Sequence, residues 1–416
     1  MLVEGLNLII YCFFCLISAH NSSQNMNHKV VIQQGREWVL EQGHPWIFAD
    51  SVDLSSCSAE AGTVVGVTSK AGQFLGQGFY NPLSAIALRM LTKDSREISA
   101  AWIRERLLSS CQRRAKWFSE QNQILRMVAF EGDGLPGLVV DRYGDWWTFQ
   151  ILCAGMEKFR PTILAVLKEL GAQGVVERSD EAVREKEGLP LRKELCWGQN
   201  PEKCRAKENG ILYNVNLWEG HKTGFYIDQR DNRRKLGALG ETGRVLNCFC
   251  YTGGFSLSLI KGGARQVVSV DASLTALEKL EENYILNGID PEQHQQIQGD
   301  VFEVLKHMSS EEPFDGIILD PPKFAGRKQH LKNALKAYSD LNALGLKLLK
   351  PGGWLATFTC SGRVSRSDFQ KAVEEAARET QSPWVVEDWL SQAADHTVLS
   401  NFPESLYLKG LLIRKL

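Results

Sequence analysis

Apolar residues are spaced along this chain in two rhythms, and the change between them divides it. From residue 28 to about 98 the apolar runs are short. Val30-Val31-Ile32, Thr63-Val64-Val65-Gly66-Val67 and Ala85-Ile86-Ala87-Leu88-Arg89-Met90 read as strands, punctuated by Gly62, Gly66, Gly72, Gly76 and Gly78. This pattern predicts a small β-barrel. Between residues 102 and 121, Ile103, Leu107, Leu108 and Cys111 recur at helical spacing with Arg and Gln between them. A strand, a tight turn and a second strand follow over residues 128–144, with Glu131-Gly132-Asp133-Gly134-Leu135-Pro136-Gly137 as the turn. A strand over 146–152, a helix over 159–170 and a strand over 174–177 complete a small α+β unit. Residues 188–207 are polar and read as an irregular connector.

Beyond Gly210 a hairpin-like stretch, 211–218, leads into regular alternation. Strands are predicted over 244–247, 266–270, 314–319 and 354–359, and helices over 255–261, 274–287 and 335–349. Short apolar strands alternating with helices predict a parallel sheet covered on both faces. The expected fold class is therefore α/β: a Rossmann-like domain over 205–416, preceded by a small β-barrel over 28–98 and a central α+β domain with its connector over 99–204.

Residues 1–27 fit none of these units. The run from Leu6 to Ala19 is almost wholly apolar, too short to span a bilayer, and preceded only by Glu4 as a charge. We read this segment as a non-native or disordered extension, with Met26 as the expected start; a membrane anchor or export signal is the competing reading. The net charge of -1, from 48 Lys+Arg and 49 Asp+Glu, excludes a histone-like polybasic binder and leaves nucleic acid only a local basic face. The ten cysteines form no paired CxxC set, so no metal site is expected, and scattered thiols fit a reducing, cytoplasmic compartment.

In a doubly wound sheet, ligands bind beyond the carboxyl ends of the strands. The first strand ends at Asn247, and the loop Cys250-Tyr251-Thr252-Gly253-Gly254-Phe255 then opens a helix. Asp271 ends the second strand, 18 residues after Gly253, the spacing at which an acid meets ribose hydroxyls. The loop is not GxGxxG, which disfavours NAD and FAD. Asn247, Tyr251, Thr252, Gly253, Asp271 and Ser273, with Asp300 and Val301 after the short segment Gln296-Ile297-Gln298 and Asp320 after the strand 314–319, form the expected wall for an adenosyl cofactor, S-adenosylmethionine. On the glycines alone, a turn with a capping acid is an equal reading.

Thr359-Cys360-Ser361-Gly362 ends the next strand, on the same sheet edge as Asp320-Pro321-Pro322. Carbon 5 of cytosine is a poor nucleophile. A thiolate adding to carbon 6 converts the ring to an enamine whose carbon 5 accepts a methyl group. Cys360 and Asp320 are the expected catalytic pair, with Asp320 hydrogen-bonded to the ring nitrogen. A lone cysteine at a strand end is otherwise a small buried hydrophobe. Cys248 is expected to pack and Cys250 to be inessential.

These residues carry a resemblance. Gly220-His221-Lys222-Thr223-Gly224-Phe225-Tyr226-Ile227-Asp228-Gln229-Arg230-Asp231, Tyr251-Thr252-Gly253-Gly254-Phe255, Asp320-Pro321-Pro322-Lys323-Phe324 and Thr359-Cys360-Ser361-Gly362 resemble the RlmI-type large-subunit rRNA (cytosine-5-)methyltransferases. So do Gly43-His44-Pro45-Trp46-Ile47-Phe48, the turn at 131–137, Gln392-Ala393-Ala394-Asp395-His396 and Phe402-Pro403-Glu404-Ser405-Leu406-Tyr407-Leu408-Lys409-Gly410. The resemblance runs from about Lys29 to the end of the chain. It implies an N-terminal PUA RNA-binding domain, a central α/β domain, methylation of carbon 5 of one cytosine in 23S rRNA with Cys360 as nucleophile, and Phe225, Asp228 and Gln229 close to the cofactor. Two departures stand out. Lys323 follows Pro-Pro where many RNA cytosine-5 methyltransferases carry a second cysteine, which leaves the base that removes the carbon 5 proton open. Thr397 follows His396 where the family usually has proline, with little functional effect expected.

Candidate RNA-facing residues are His44, Trp46, Arg178, Arg184, Lys186, Arg230, Arg233, Arg234, Lys323, Arg327 and Lys328. Alternatives are an RNA amino-methyltransferase (adenine N6 or guanine N2), a non-catalytic RNA-binding factor and, more weakly, a small-molecule methyltransferase. No membrane partner is expected, and a homodimer is an open option.

Overall fold

The computed structural model describes residues 28–199, 204–239, 243–308, 312–324 and 331–416. The expectations for residues 1–27, and for Arg327 and Lys328, lie outside the described residues.

The first unit is a six-stranded sheet in the order Trp46–Phe48, Ile86–Thr92, Phe74–Tyr80, Thr63–Thr68, Lys29–Ile32, Val52–Asp53. Its two edge strands are joined by one turn of 3-10 helix, Ala49–Ser51, so the sheet curls back on itself. Val30, Ile32, Ile47, Val65, Val67, Tyr80 and Leu88 fill the interior.

The central unit is a five-stranded sheet in the order Arg192–Trp197, Gly174–Ser179, Trp146–Ile151, Leu138–Tyr143, Ile124–Ala129. Helices Ala100–Ala115 and Arg160–Glu169 cover one face. Ile124, Tyr143 and Val176 on the other face join the core of the C-terminal unit. That burial from both sides explains why all six residues of Ile124–Ala129 are inaccessible, Arg126 included. The expected irregular connector is corrected here. Arg192–Trp197 pairs antiparallel with Gly174–Ser179, and Cys204–Glu208 pairs with Ile211–Val215. Its Arg-Lys-Glu run hid the first of these strands, yet it belongs to an edge strand, where charges discourage further pairing.

The C-terminal sheet has seven strands: β1 (Arg244–Cys248), β2 (Gln266–Asp271), β3 (His294–Gln298), β4 (Phe314–Leu319), β5 (Leu349–Thr359), β6 (Trp384–Ser391) and β7 (Lys409–Lys415). Their order is β3-β2-β1-β4-β5-β7-β6. The first five are parallel, as the alternation predicts. β7 is antiparallel to both of its neighbours and lies between β5 and β6. Strand order reverses between β1 and β4, which places the cleft at the ends of those strands. Helices Leu331–Leu348 and Arg366–Glu379 pack one face, and Gly254–Lys261 and Leu274–Leu286 the other. No helix among the described residues is long and apolar enough to cross a membrane.

Candidate active site

The loop after β1 is held in an unusual shape. Phe249 and Tyr251 both adopt positive φ, at 60° and 50°, a conformation that non-glycine residues seldom take. Gly253 follows at φ 83°, and a Cβ there would sit 1.9 Å from Cδ1 of buried Leu280. The loop is pinned from the sheet: Tyr251 N donates to Asp271 Oδ2 at 2.8 Å, and Cys250 N to the Val270 carbonyl at 3.0 Å. Asn283 donates to the Thr252 carbonyl at 3.1 Å. The result is a bare backbone cradle at the start of helix Gly254–Lys261, beside an acid whose Oδ1 accepts from Ser273 N at 2.9 Å.

A second wall comes from residues 221–229. Asp228 is buried; its Oδ2 accepts from Lys222 Nζ at 2.6 Å and from the Tyr407 hydroxyl at 2.8 Å, while Oδ1 has no partner. Burial alone would raise this carboxyl, but the charges of Lys222 and His396 hold it well below the usual range. Gln229 Nε2 donates to Asp320 Oδ2 at 3.0 Å. Burial, then the neighbouring Asp228, push the Asp320 carboxyl up to about 7. His221 stacks on Tyr251 with ring centroids 4.8 Å apart, and its Nδ1 lies 3.1 Å from the Tyr226 hydroxyl. Lys222, Tyr226, His221 and Tyr407 complete this wall. Sequence reasoning did not single them out as site residues, although all four lie within the stretches that carry the resemblance, 220–231 and 402–410.

Cys360 is half-buried at the carboxyl end of β5. Leu319 pairs with Thr357, so Asp320 leaves β4 beside the residues leading to Cys360. Burial and then Asp320 raise the thiol; the cations Lys323 and Lys222 pull it back. The turn is fixed by Tyr338, whose hydroxyl accepts from Thr359 Oγ1 at 2.7 Å and meets Ser361 Oγ at 3.1 Å. Cys248 and Cys250 are both buried, and burial raises both thiols.

The expected site residues divide. Tyr251, Thr252, Gly253 and Asp271 meet at one end of the cleft, and Asp228, Gln229, Asp320 and Cys360 at the other. Ser273 and Asp300 lie at its rim as helix caps, accepting from Ala276 N at 3.2 Å and Glu303 N at 3.2 Å. Asn247 is buried below the loop, donating to Ser256 Oγ at 2.8 Å, with its Oδ1 unpartnered. Val301 is core. Phe225 is also core, its ring 4.9 Å from that of Tyr213 and beneath the Arg233 guanidinium.

Most of the RNA-facing expectations are corrected. Arg178, Arg184, Arg230 and Arg233 are buried. Arg178 donates to the carbonyls of Leu217 and Gly220 at 2.9 and 3.1 Å. Arg184 binds Glu157 at 3.0 Å, and Arg233 binds Glu208 in a bidentate pair at 2.6 and 2.7 Å. Arg230 pairs with Asp395. Desolvating a guanidinium is tolerable only with such partners. His44 and Trp46 fasten the barrel to other units: His44 Nε2 lies 3.2 Å from Glu404, Trp46 Nε1 donates to Glu131 at 2.7 Å, and Trp46 packs edge-on to Phe402 at 4.6 Å; Trp46 stays partly exposed, so these contacts do not overturn its RNA-facing expectation. Lys186, Arg234 and Lys323 are exposed. Thr397 has a structural role: it accepts from Arg114 at 2.8 Å and donates to Asp133 at 3.2 Å, and proline, with no side-chain hydroxyl, could make neither bond.

A seven-stranded sheet with one antiparallel strand inserted beside β5, and a glycine cradle facing an acid across the switch point, define a class I S-adenosylmethionine-dependent methyltransferase domain. A family model for S-adenosylmethionine-dependent methyltransferases matches residues 192–413, and one for PUA-like domains matches 30–93. The chain is 40% identical over 391 residues to ribosomal RNA large subunit methyltransferase I of Klebsiella pneumoniae (strain 342), covering 93% of this chain and 98% of that one. It is 41% identical over 395 residues to the Tolumonas auensis protein of the same name, covering 94% and 100%. Among solved structures, the methyltransferase SMU.776 complexed with SAH superposes with a TM-score of 0.81 at 25% identity, over 93% of this chain and 99% of that one. The chain belongs to the RlmI family of S-adenosylmethionine-dependent methyltransferases.

Proposed function

We propose that the protein methylates carbon 5 of one cytosine in 23S rRNA, through a covalent bond between Cys360 and carbon 6 of the base. The observation that carries this reading is the placement of Cys360 one strand from Asp320, at the end of the sheet where the cofactor cradle opens. The cradle suits an adenosyl sulfonium: Gly253, whose Cβ would clash with Leu280 beneath the loop, leaves the backbone bare, and Asp271 ends its strand at the position where nucleotide-binding folds hold ribose hydroxyls. Asp228, Gln229, Tyr251 and Thr252 complete the contact set. The bound S-adenosylmethionine supplies an electrophilic methyl group.

The chain's own residues do the rest. Cys360, as thiolate, adds to carbon 6, and Asp320, protonated for part of the time near neutrality, donates to the ring nitrogen that gains electron density. Carbon 5 then takes the methyl group and becomes tetrahedral. Loss of the carbon 5 proton to a base expels the thiolate and restores the aromatic ring, so Cys360 returns unchanged. Lys222 and Lys323 favour the thiolate against burial and Asp320. The target base must leave its stack, because the ring has to meet thiolate and sulfonium together.

Two measurements test this. Mass spectrometry of rRNA nucleosides from cells with and without the gene should show loss of one 5-methylcytidine; an unchanged map contradicts the substrate. Cys360→Ala should abolish turnover while S-adenosylmethionine binding survives. Full activity in that variant transfers the assignment to an amino-methyltransferase, which needs no thiol.

A further inference from the structure

The stretches 43–48, 131–137, 392–396 and 402–410 carry much of the resemblance, yet they lie mostly outside the cleft around Cys360. All four contribute to one cavity, about 260 Å³, between the barrel, the central sheet and the segment after β6. Trp46, Phe130 and Phe402 supply aromatic walls, and Arg89 and Glu131 supply its charged side. We propose that this cavity receives one unstacked base of the RNA substrate, a nucleotide other than the methylated cytosine. The proposal rests on the reading of RNA as substrate.

Three observations converge. The volume is below the range of about 300–1,000 Å³ of sites for drug-sized ligands, and suits a single base ring. Next, the polar groups are incompletely used. Arg89 is buried; its terminal nitrogens donate to Glu131 and Glu187 at 2.9 and 3.1 Å, while Nε has no partner. A buried donor left unpaired is costly; Nε is shielded from solvent, so a base carbonyl or ring nitrogen satisfies it through a small shift of the Arg89 side chain. Glu131 takes both Trp46 and Arg89 on Oε1 alone. Finally, Phe130 lines the cavity with φ 48°, a strained conformation for a bulky residue, held at a place where a flat ring is exposed to a ligand. Aromatic walls accept any base by stacking, and the charged edge reads its polar rim.

The cavity also backs onto the catalytic cleft. Tyr407 lines it, and the hydroxyl of the same side chain donates to Asp228, the carboxylate that holds Lys222. A base seated against Tyr407 is therefore one side chain away from the wall of the methyl-transfer site.

The test uses the full-length protein and its rRNA. Ultraviolet cross-linking of wild-type protein to unmodified rRNA, with peptides mapped by mass spectrometry, should place a cross-link at Trp46, Phe130 or Phe402. Phe130→Ala should remove or weaken it. Val183→Trp, at the exposed rim of the cavity, should block entry and raise the rRNA dissociation constant roughly five- to a hundred-fold, with S-adenosylmethionine binding unchanged. Cross-links confined to other surfaces, together with unchanged rRNA affinity in Val183→Trp, overturn the proposal and leave the cavity a domain seam. Should wild-type protein transfer no methyl group to rRNA, the substrate reading fails instead, and the two failures are told apart.

Discussion

At the scale of single residues, Asp320 decides how the site responds to pH. A carboxyl whose folded-state pKa is raised binds its proton more tightly when folded. Its contribution to stability is therefore complete below about pH 4 and is lost as pH rises toward 7. Asp320→Asn should melt at higher temperature than wild type at pH 8, with the difference closing toward pH 4; a constant difference in calorimetry contradicts a raised carboxyl. The same variant should lose about 10²- to 10⁴-fold in kcat, the usual size of a general acid–base contribution. Wild-type kcat/KM should be bell-shaped in pH, because the active form pairs the Cys360 thiolate with protonated Asp320 although the thiol is the weaker acid; the acid-side break then falls near 7, where Asp320 titrates, and the alkaline break where the raised thiol ionises. Asp320 and Cys360 were legible in the sequence because strand ends can be counted. Lys222 and Tyr407 were not, since a lysine in a string gives no sign that it will meet a buried carboxylate 2.6 Å away.

Elements carry the cofactor loop. Its two positive-φ residues and Gly253 form a turn that packs Leu280 beneath it. Gly253→Ala places a methyl group into Leu280 and strains a φ of 83°, at a cost of about 1–3 kcal/mol. S-adenosylmethionine affinity, measured by calorimetry, should fall by tenfold or more, with a smaller loss of Tm; equal affinity would mean the loop is a bystander. The alternation of strand and helix showed these elements clearly, because each is apolar along a whole run. Arg192–Trp197 stayed hidden, since an edge strand with one solvated side has no apolar run to read. β3, β6 and β7 were not read as strands at all, and the reversed direction of β7 is something no strand pattern carries.

Across the whole molecule, buried charge joins the central unit to the C-terminal one. Asp395 is fully buried: its carboxylate takes Arg230, the Arg126 backbone at 2.9 Å and His396 at 2.9 Å, and its carbonyl takes Arg114 at 2.7 and 3.0 Å. Asp395→Ala leaves Arg230 desolvated and short of its main partner, which should cost about 3–5 kcal/mol. Thermal unfolding should start earlier and separate into steps; a single transition at the wild-type temperature contradicts a joining role. Sequence reading gave four buried arginines, Arg178, Arg184, Arg230 and Arg233, to RNA, since an arginine's charge is visible in a sequence and its partner is not. The inserted strand adds a consequence in time. A chain made in order presents β5, with Cys360 at its tip, and then β6, well before β7 exists to bridge them. Until Lys409–Lys415 emerges and slides between them, β6 has no neighbour in the sheet and Thr359 lacks its partner, Lys409. The turn that carries Cys360 is thus completed by a strand made after β6, and a nascent chain that stops short of Lys409 lacks that side of its frame.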